Sequence, residues 1–391
     1  MALLVLGATL VSGGSLADSV RHRYLPDSNE LHTVYRYGSV RDASLRSLGD
    51  PGAIRARPRW LATARPLGVG APPWAQRLYR RSLLVLRGLT ARNGAVVAGA
   101  REGWAYVWPR DAGAAAIAFA AAGYRSEARR VARFLLGLDL RAAARFHPDG
   151  SPVDGRPAQG DAAGWVAVAA RAAGLRARPS ATPWRNRPDY QEGDAGTYLA
   201  NALAATAADG PKTCRYVTFE ARRRGFGGFV SRAGLVREAG DRRSGLDSAA
   251  AWAVRPFPLP SLYPLVRRTL LRLSAESGRF GIVPSQNWGG GVDPWTAPTA
   301  WTALGLAALA RRDRQRNAAA IARRERRAAL HLMAALRRTM TPTGMLPERV
   351  DARTGVPTST TPLAWSHAFA ILALRQLWPR SRTASNFHPA R

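Results

Sequence analysis

Residues 298–339 have the sequence PTAWTALGLAALARRDRQRNAAAIARRERRAALHLMAALRRT. Its first part, 298–310, is apolar on nearly every side, whereas the part over 318–339 carries an apolar stripe beside a face rich in arginine. A helix that is apolar all round must be surrounded by protein, and a helix with a charged face lies outside it. The stretch therefore predicts an inner helix followed by an outer helix.

The same alternation extends over most of the chain. Apolar segments are 112–122, 162–173, 195–208, 248–254, 298–310 and 362–377, and segments with a charged face are 74–90, 125–138, 214–224, 263–276 and 318–339. Most inner segments begin about 50 residues apart, the length of two helices and two loops. Six inner helices wrapped by outer ones predict an all-α (α/α)6 toroid, and the absence of β–α alternation disfavours a parallel sheet. One outer helix of the twelve, expected between Ala173 and Ala195, has no evident counterpart in the sequence.

The toroid is predicted to occupy residues 74–380, with three further segments outside it. Residues 1–17 are apolar and end in Ser15-x-Ala17, like a secretory signal without its basic leader. A signal or anchor, with a secreted or cell-envelope location, and a buried strand over 3–10 in a cytoplasmic protein both stay open. Residues 18–73 are predicted to be an irregular lead-in with one short strand over 31–37, and residues 381–391 a tail.

The composition narrows the class of protein. The chain has 391 residues and a formal net charge of +32, and all but one of its 58 basic residues are arginines. Because the arginines are spread over the whole chain and no helix-turn-helix, zinc or RNA-binding signature occurs, a specific nucleic-acid binder is disfavoured. A single cysteine, Cys214, excludes an internal disulfide and a Cys-based metal site. The arginines of 311–338 are interpreted as a solvated helix face, with attraction to an anionic envelope surface as the alternative.

Acidic residues precede every predicted inner helix. Each of them could be a helix cap, but in a toroid with parallel inner helices all these loops open at one mouth. Tryptophans occupy the same loops, and indole platforms with carboxylates and an arginine are what a sugar-binding cleft needs. The acids are Asp111, Asp161, Glu192 with Asp194, Asp247, Asp293 and Glu348, and the tryptophans are Trp104, Trp108, Trp165, Trp184, Trp288, Trp295 and Trp365.

Two longer motifs resemble those of glycoside hydrolase family 15, the glucoamylase-like enzymes. WAYVWPRDA at 104–112 resembles the family's W-x-R-D segment, and MLPERVD at 345–351 with TGVP at 354–357 and TPLAWSHA at 361–368 resembles its C-terminal block. Shorter matches follow the family's order: Asn93-Gly94-Ala95, Gln159-x-Asp161-x-x-Gly164-Trp165, PDYQE at 188–192, and GGG at 289–291 ahead of Pro294-Trp295. The resemblance implies the same (α/α)6 toroid that the helix alternation predicts.

The resemblance also implies a reaction, hydrolysis of terminal α-glucosidic bonds of oligosaccharides or glucans with inversion, without cofactor or metal. Glu192 would be the general acid and Glu348 the general base, separated by roughly 6.5–9.5 Å so that water fits between. Arg110 and Asp111 would hold sugar hydroxyls. Trp108, Trp295 and Trp365 would shape the pocket, and Gln159 and Asp161 match structural or pocket residues of the family.

Several residues depart from the family pattern. Gln191 stands where a tryptophan is usual, Gly193 where some members carry a second glutamate, and Arg349 in place of a glutamine. These departures leave a second hypothesis open, a catalytically degenerate toroid that binds glycan without cutting it. The linkage, including the isomaltose and trehalose types, stays open, as does the oligomeric state. His367, in an apolar segment, is interpreted as a structural histidine.

Overall fold

The computed structural model describes residues 19–24, 30–37, 40–47, 57–100, 103–176, 198–207 and 226–380. Its α-helices are α1 Arg57–Ala62, α2 Pro73–Gly88, α3 Pro109–Ala122, α4 Arg125–Leu136, α5 Ala162–Ala172, α6 Leu199–Ala205, α7 Tyr263–Ala275, α8 Thr296–Gln315, α9 Ala319–Arg338 and α10 Ala364–Leu377. Three 3-10 helices cover Phe226–Phe229, Ser248–Ala253 and Pro260–Leu262.

Six inner segments close into a ring. In chain order, α3 packs on α5, α5 on α6, α6 on the 3-10 helix Ser248–Ala253, that helix on α8, α8 on α10, and α10 again on α3. Outside the ring, α2 packs on α10, α4 on α3 and α5, α7 on the 3-10 helix and α8, and α9 chiefly on α8. The prediction of an all-α (α/α)6 toroid is confirmed. The predicted outer helix 214–224 and most of the span between Ala173 and Ala195, where the twelfth helix is expected, lie outside the described residues.

The helix boundaries differ from the prediction where the local chemistry overrides composition. Helix α3 begins at Pro109, three residues before the apolar run, because a proline without an N–H suits the first turn of a helix. Helix α8 extends to Gln315, well past residue 310, and its added turn is rich in arginine. The apolar segment 248–254 forms a short 3-10 helix, Ser248–Ala253, instead of an α-helix.

The centre of the ring is filled by aromatic side chains. Trp165 and Trp252 have ring centroids 5.0 Å apart, Trp252 and Trp301 5.3 Å, Trp301 and Phe369 5.5 Å, and Phe369 and Trp165 6.0 Å. These edge-to-face pairs each contribute about 0.5–1.5 kcal/mol beyond the burial of their area. Trp165 is therefore part of the core, and its interpretation as a loop tryptophan of the cleft is wrong.

The lead-in is not irregular throughout. It contains an antiparallel sheet of β1 Ser19–Tyr24, β2 Glu30–Tyr37 and β3 Val40–Ser47, in which Tyr24 pairs with Leu31 and Tyr37 with Val40. The predicted strand over 31–37 corresponds to β2, but β1 and β3 were not predicted. The Gly38-Ser39 pair between β2 and β3 is a hairpin signal that a search for sustained periodicity overlooks.

A second hairpin, β4 Val236–Glu238 with β5 Asp241–Leu246, leads into the 3-10 helix Ser248–Ala253.

Within the described part of the chain, no helix combines the length and apolar character needed to cross a membrane.

Candidate active site

A cavity of about 210 Å³ opens where the inner helices begin. Its wall brings together seven of the predicted site residues, Trp108, Arg110, Asp111, Gln159, Trp295, Glu348 and Trp365. Asp161 lies behind this wall and is almost completely buried. Glu192, with Gln191, Gly193 and Asp194, lies outside the described residues.

Arg110 is the most constrained side chain of the pocket. Because α3 starts at Pro109, Arg110 and Asp111 fall in its first turn, and both are buried. The Nη1 atom of Arg110 donates to Asp161 Oδ2 at 2.9 Å and to Gln159 Oε1 at 3.1 Å. Its guanidinium carbon lies 4.8 Å from the ring centroid of Trp365. Ion pair, amide and indole together fix the direction in which Arg110 presents its donors.

Asp161 occupies the N-cap position of α5 but makes no capping hydrogen bond. Its carboxylate is instead the counterion of Arg110. Among the acids of the mouth, Asp247 does cap, accepting from the backbone N–H of Ala249 at 2.8 Å. Asp293 accepts from the hydroxyl of Thr358 at 3.0 Å and thus ties two loops together. Asp247 and Asp293 are structural acids, and neither lines the cavity.

Asp111 carries a strongly perturbed carboxyl group. Burial raises its pKa to about 7, against the opposing effect of Arg110, and the negative charges of Glu348 and Asp161 raise it further. A carboxyl group that is partly protonated near neutral pH can donate a hydrogen bond as well as accept one. This property suits a side chain that must bind a hydroxyl group, which is itself both donor and acceptor.

Glu348 is anchored through its backbone. Its N–H donates to the carbonyl of Thr360 at 2.9 Å, and its carbonyl accepts from the N–H of Thr296 at 2.9 Å. The last inner helix begins only at Ala364. Glu348 therefore lies in a loop that backbone hydrogen bonds hold in place. Because Glu348 lies well before the first residue of the helix, the alternative that it merely caps the helix is wrong.

The carboxyl group of Glu348 is fixed by two donors. The indole Nε1 of Trp104 donates to Oε1 at 3.4 Å, and the hydroxyl of Ser359 donates to Oε2. Burial raises the pKa of Glu348, whereas these two hydrogen bonds and the charges of Arg349 and Arg110 oppose the rise. The result is a carboxylate of defined orientation with more than ordinary basicity.

His367 supports the same loop from below. It is fully buried, its Nε2 accepts from the N–H of Leu346 at 3.0 Å, and its Nδ1 lies 2.9 Å from the hydroxyl of Ser82. Burial lowers its pKa to about 3, so the ring is neutral. The same loop is also held by Thr296, whose hydroxyl donates to the carbonyl of Pro347. The interpretation of His367 as a satisfied structural histidine is confirmed.

Some residues that line the cavity or hold Glu348 were not among the predicted site residues. Trp104 lies in the 104–112 motif, so its sequence signal was available. The guanidinium of Arg145 lies 4.6 Å from the ring centroid of Tyr106 and 5.7 Å from that of Trp108, at the rim of the cavity. Arg156 also lines the cavity. Ser359 lies in a run of threonine and serine that carries no comparable signal.

Comparisons with known proteins identify the fold. No protein-family model and no curated protein matches the chain. Among solved structures, a glycosidase variant in complex with glucose superposes with a TM-score of 0.58 at 18% identity, over 78% of this chain and 97% of that one. The glucoamylase of Saccharomycopsis fibuligera gives 0.61 at 15% identity, over 80% and 96%. A bacterial glucoamylase complexed with acarbose gives 0.55 at 15% identity, over 84% of this chain and 59% of that one. The chain has the glucoamylase-like toroid fold.

Proposed function

We propose that this chain is an inverting, exo-acting glycoside hydrolase that cleaves terminal α-glucosidic bonds of oligosaccharides or glucans. The observation that carries the proposal is the pocket in which Glu348, Arg110 and Asp111 meet the indoles of Trp108 and Trp365. The chain shares its fold with a glycosidase variant solved in complex with glucose and a bacterial glucoamylase solved in complex with acarbose. Those ligands, together with the chemistry of the wall, support a sugar as the substrate.

Glu348 is the proposed general base. A base of this kind must be ionised, and it must face a water molecule on the side of the sugar away from the leaving group. Trp104 and Ser359 hold the plane of its carboxyl group, which favours one direction of proton transfer. The water gives a proton to Glu348 as its oxygen bonds to the anomeric carbon. The carbon–oxygen bond to the leaving group breaks in the same step, and the configuration is inverted.

Glu192 is the proposed general acid, and this assignment rests on the PDYQE motif at 188–192. It would give its proton to the leaving oxygen and so avoid the release of an alkoxide. A general acid must be protonated when the reaction begins, so Glu192 needs a raised pKa. Burial, or repulsion from Asp194, would supply it.

The pocket favours attack on the end of a glycan. Trp365 lines it and also packs on Trp301 of the central aromatic cluster, at 5.1 Å between ring centroids. The cavity therefore ends against the solid centre of the ring, and a chain cannot pass through. Arg110 and Asp111 would bind the hydroxyls of a terminal sugar, and the indoles would pack on its apolar faces.

The test is glucose release from maltose, isomaltose, trehalose and short dextrins by the wild type and by Glu348→Gln and Glu192→Gln. Loss of general acid or base catalysis should lower kcat by about 10²–10⁴-fold. Asp293→Asn is the matched control, since Asp293 lies at the same mouth but outside the cavity. Polarimetry on the active substrate should show inversion. Folded wild type that binds an oligosaccharide but releases no glucose would favour the glycan-binding toroid.

A further inference from the structure

A second cavity lies at the opposite end of the toroid. It encloses about 400 Å³ between the last turns of α8 and α10 and the first turns of α9. We call it the arginine groove and define it by its rim, Arg311, Arg314, Arg323 and Arg326, and by its floor, Ala307, Ala310, Ala322 and Leu377.

The positive charge of the rim is not neutralised locally. The acidic residues of α8 and α9, Asp313 and Glu325, are buried and both pair with Arg267, Glu325 at 2.6 Å. Arg311, Arg314 and Arg323 are exposed, and within the described part of the chain no carboxylate forms an ion pair with them. The groove thus presents guanidinium groups to a partner and no exposed acid.

One arginine of the rim is held in place. Arg326 donates to the carbonyl of Leu377 at 3.4 Å, and its guanidinium carbon lies 5.8 Å from the ring centroid of Trp378. Arg326 therefore connects the C-terminal end of α10 to the first half of α9 at the rim of the groove. The groove is a formed feature of this end of the toroid.

The floor distinguishes the partner from a simple polyanion. Alanine methyl groups and the Leu377 side chain line it. A soluble polyanion would need only the charges. A membrane lipid offers a phosphate for the guanidinium groups and apolar glycerol and acyl groups for the floor.

We propose that the arginine groove docks the protein on a membrane surface that contains anionic phospholipid. Helix α8 runs from the proposed catalytic pocket to the groove. Thr296, at its first residue, bonds to the Glu348 loop, and Gln315, at its last, lines the groove. A helix of this length spans about 30 Å. The proposed catalytic pocket would therefore open away from the membrane, toward soluble glycans.

The test compares two triple variants that remove the same charge. Arg311→Gln/Arg314→Gln/Arg323→Gln removes the three exposed arginines of the rim, and Arg133→Gln/Arg242→Gln/Arg353→Gln removes three exposed arginines from the end of the toroid that carries the pocket. Binding is measured by co-sedimentation with phosphatidylcholine vesicles with and without 40% phosphatidylglycerol. Each arginine near an anionic surface contributes roughly a factor of five, so the rim variant should bind the anionic vesicles about a hundredfold more weakly. The control variant should lose less than about tenfold, and thermal melts establish that both are folded.

Two results would overturn the proposal. Equal losses in both variants would mean that the net charge of the whole protein attracts the vesicles. Unchanged vesicle binding of the rim variant, with lost binding to polyphosphate, would assign the groove to a soluble polyanion.

Discussion

The imidazole of His367 accepts a hydrogen bond from the backbone of Leu346, with 3.0 Å between Nε2 and the amide nitrogen. Leu346 stands two residues before Glu348, and both His367 and Leu346 are fully buried. Because burial lowers the pKa of His367 to about 3, the ring stays an uncharged acceptor at any working pH. The last inner helix thereby fixes the loop that carries the proposed base.

Replacing His367 should loosen this loop. His367→Leu leaves the N–H of Leu346 and the hydroxyl of Ser82 without their partner in the core, which should cost about 2 kcal/mol of unfolding free energy. His367→Gln keeps an amide oxygen within reach and should recover part of the loss. Urea unfolding measures both variants, and kcat on the active glucoside should follow the same order. Equal behaviour of the two variants would show that the acceptor does not matter.

The hydroxyl of Ser359 should set the acid limb of the activity. Its hydrogen bond stabilises the ionised form of Glu348 and so lowers the pKa of that group. Ser359→Ala should therefore raise the pKa of Glu348, and because a base must be ionised, kcat/KM should begin to fall at a higher pH. The pH profile of kcat/KM measures the shift. Thr358→Ala is the control, since Thr358 bonds to Asp293 instead; a matching shift there would contradict the assignment.

The fold was predictable because the inner helices are apolar all round. For α5 and α10, that pattern located the helices within a few residues. It could not locate β1, β3 or the β4–β5 hairpin, whose strands are short and polar and show no sustained period. It also could not separate an α-helix from a 3-10 helix at Ser248–Ala253. The two differ in whether each N–H bonds to the carbonyl four or three residues earlier, and composition does not determine this.

The site was predictable where a motif is contiguous. Residues 104–112 and 345–368 placed Arg110, Asp111, Glu348 and Trp365 in one pocket. The supporting contacts join residues far apart in the chain, such as Thr296 with Pro347 and Arg110 with Asp161. Such pairs leave no local pattern, so the sequence could suggest that Asp161 matters but not that it is the counterion of Arg110.

Ionisation of Asp111 should make the fold less stable as pH rises. Its pKa is about 7 in the folded protein and near 3.8 when exposed, so the folded state holds the proton more tightly. The stabilisation is complete below about pH 4 and is lost as pH rises through 7. Asp111→Asn cannot ionise, so its unfolding free energy relative to wild type should improve between pH 4 and 8. Asp139→Asn, at an exposed acid whose pKa is lowered by Arg141, should not improve; if both variants behave alike, Asp111 is not the cause.

The ion-pair network outside the ring gives a prediction about stability alone. Arg267 of α7 pairs with Asp313 of α8 and Glu325 of α9, and both carboxylates are buried. Arg267→Met would leave the buried Glu325 without a cation and Asp313 with only Arg312 at 3.6 Å, which should cost about 3–5 kcal/mol of unfolding free energy. Since Arg267 does not line the pocket, kcat of the folded protein should not change.

Two further variants separate charge from packing in this network. Arg268→Met, at the exposed neighbour of Arg267 on α7, is the control and should cost less than about 1 kcal/mol. The triple variant Arg267→Met/Asp313→Leu/Glu325→Leu removes all three charges and should regain most of the lost stability, because buried ion pairs and apolar replacements are often nearly equivalent. Denaturant unfolding followed by circular dichroism compares the four proteins. A triple variant no more stable than Arg267→Met would show that the three side chains stabilise the fold through their packing and not only because their charges compensate one another.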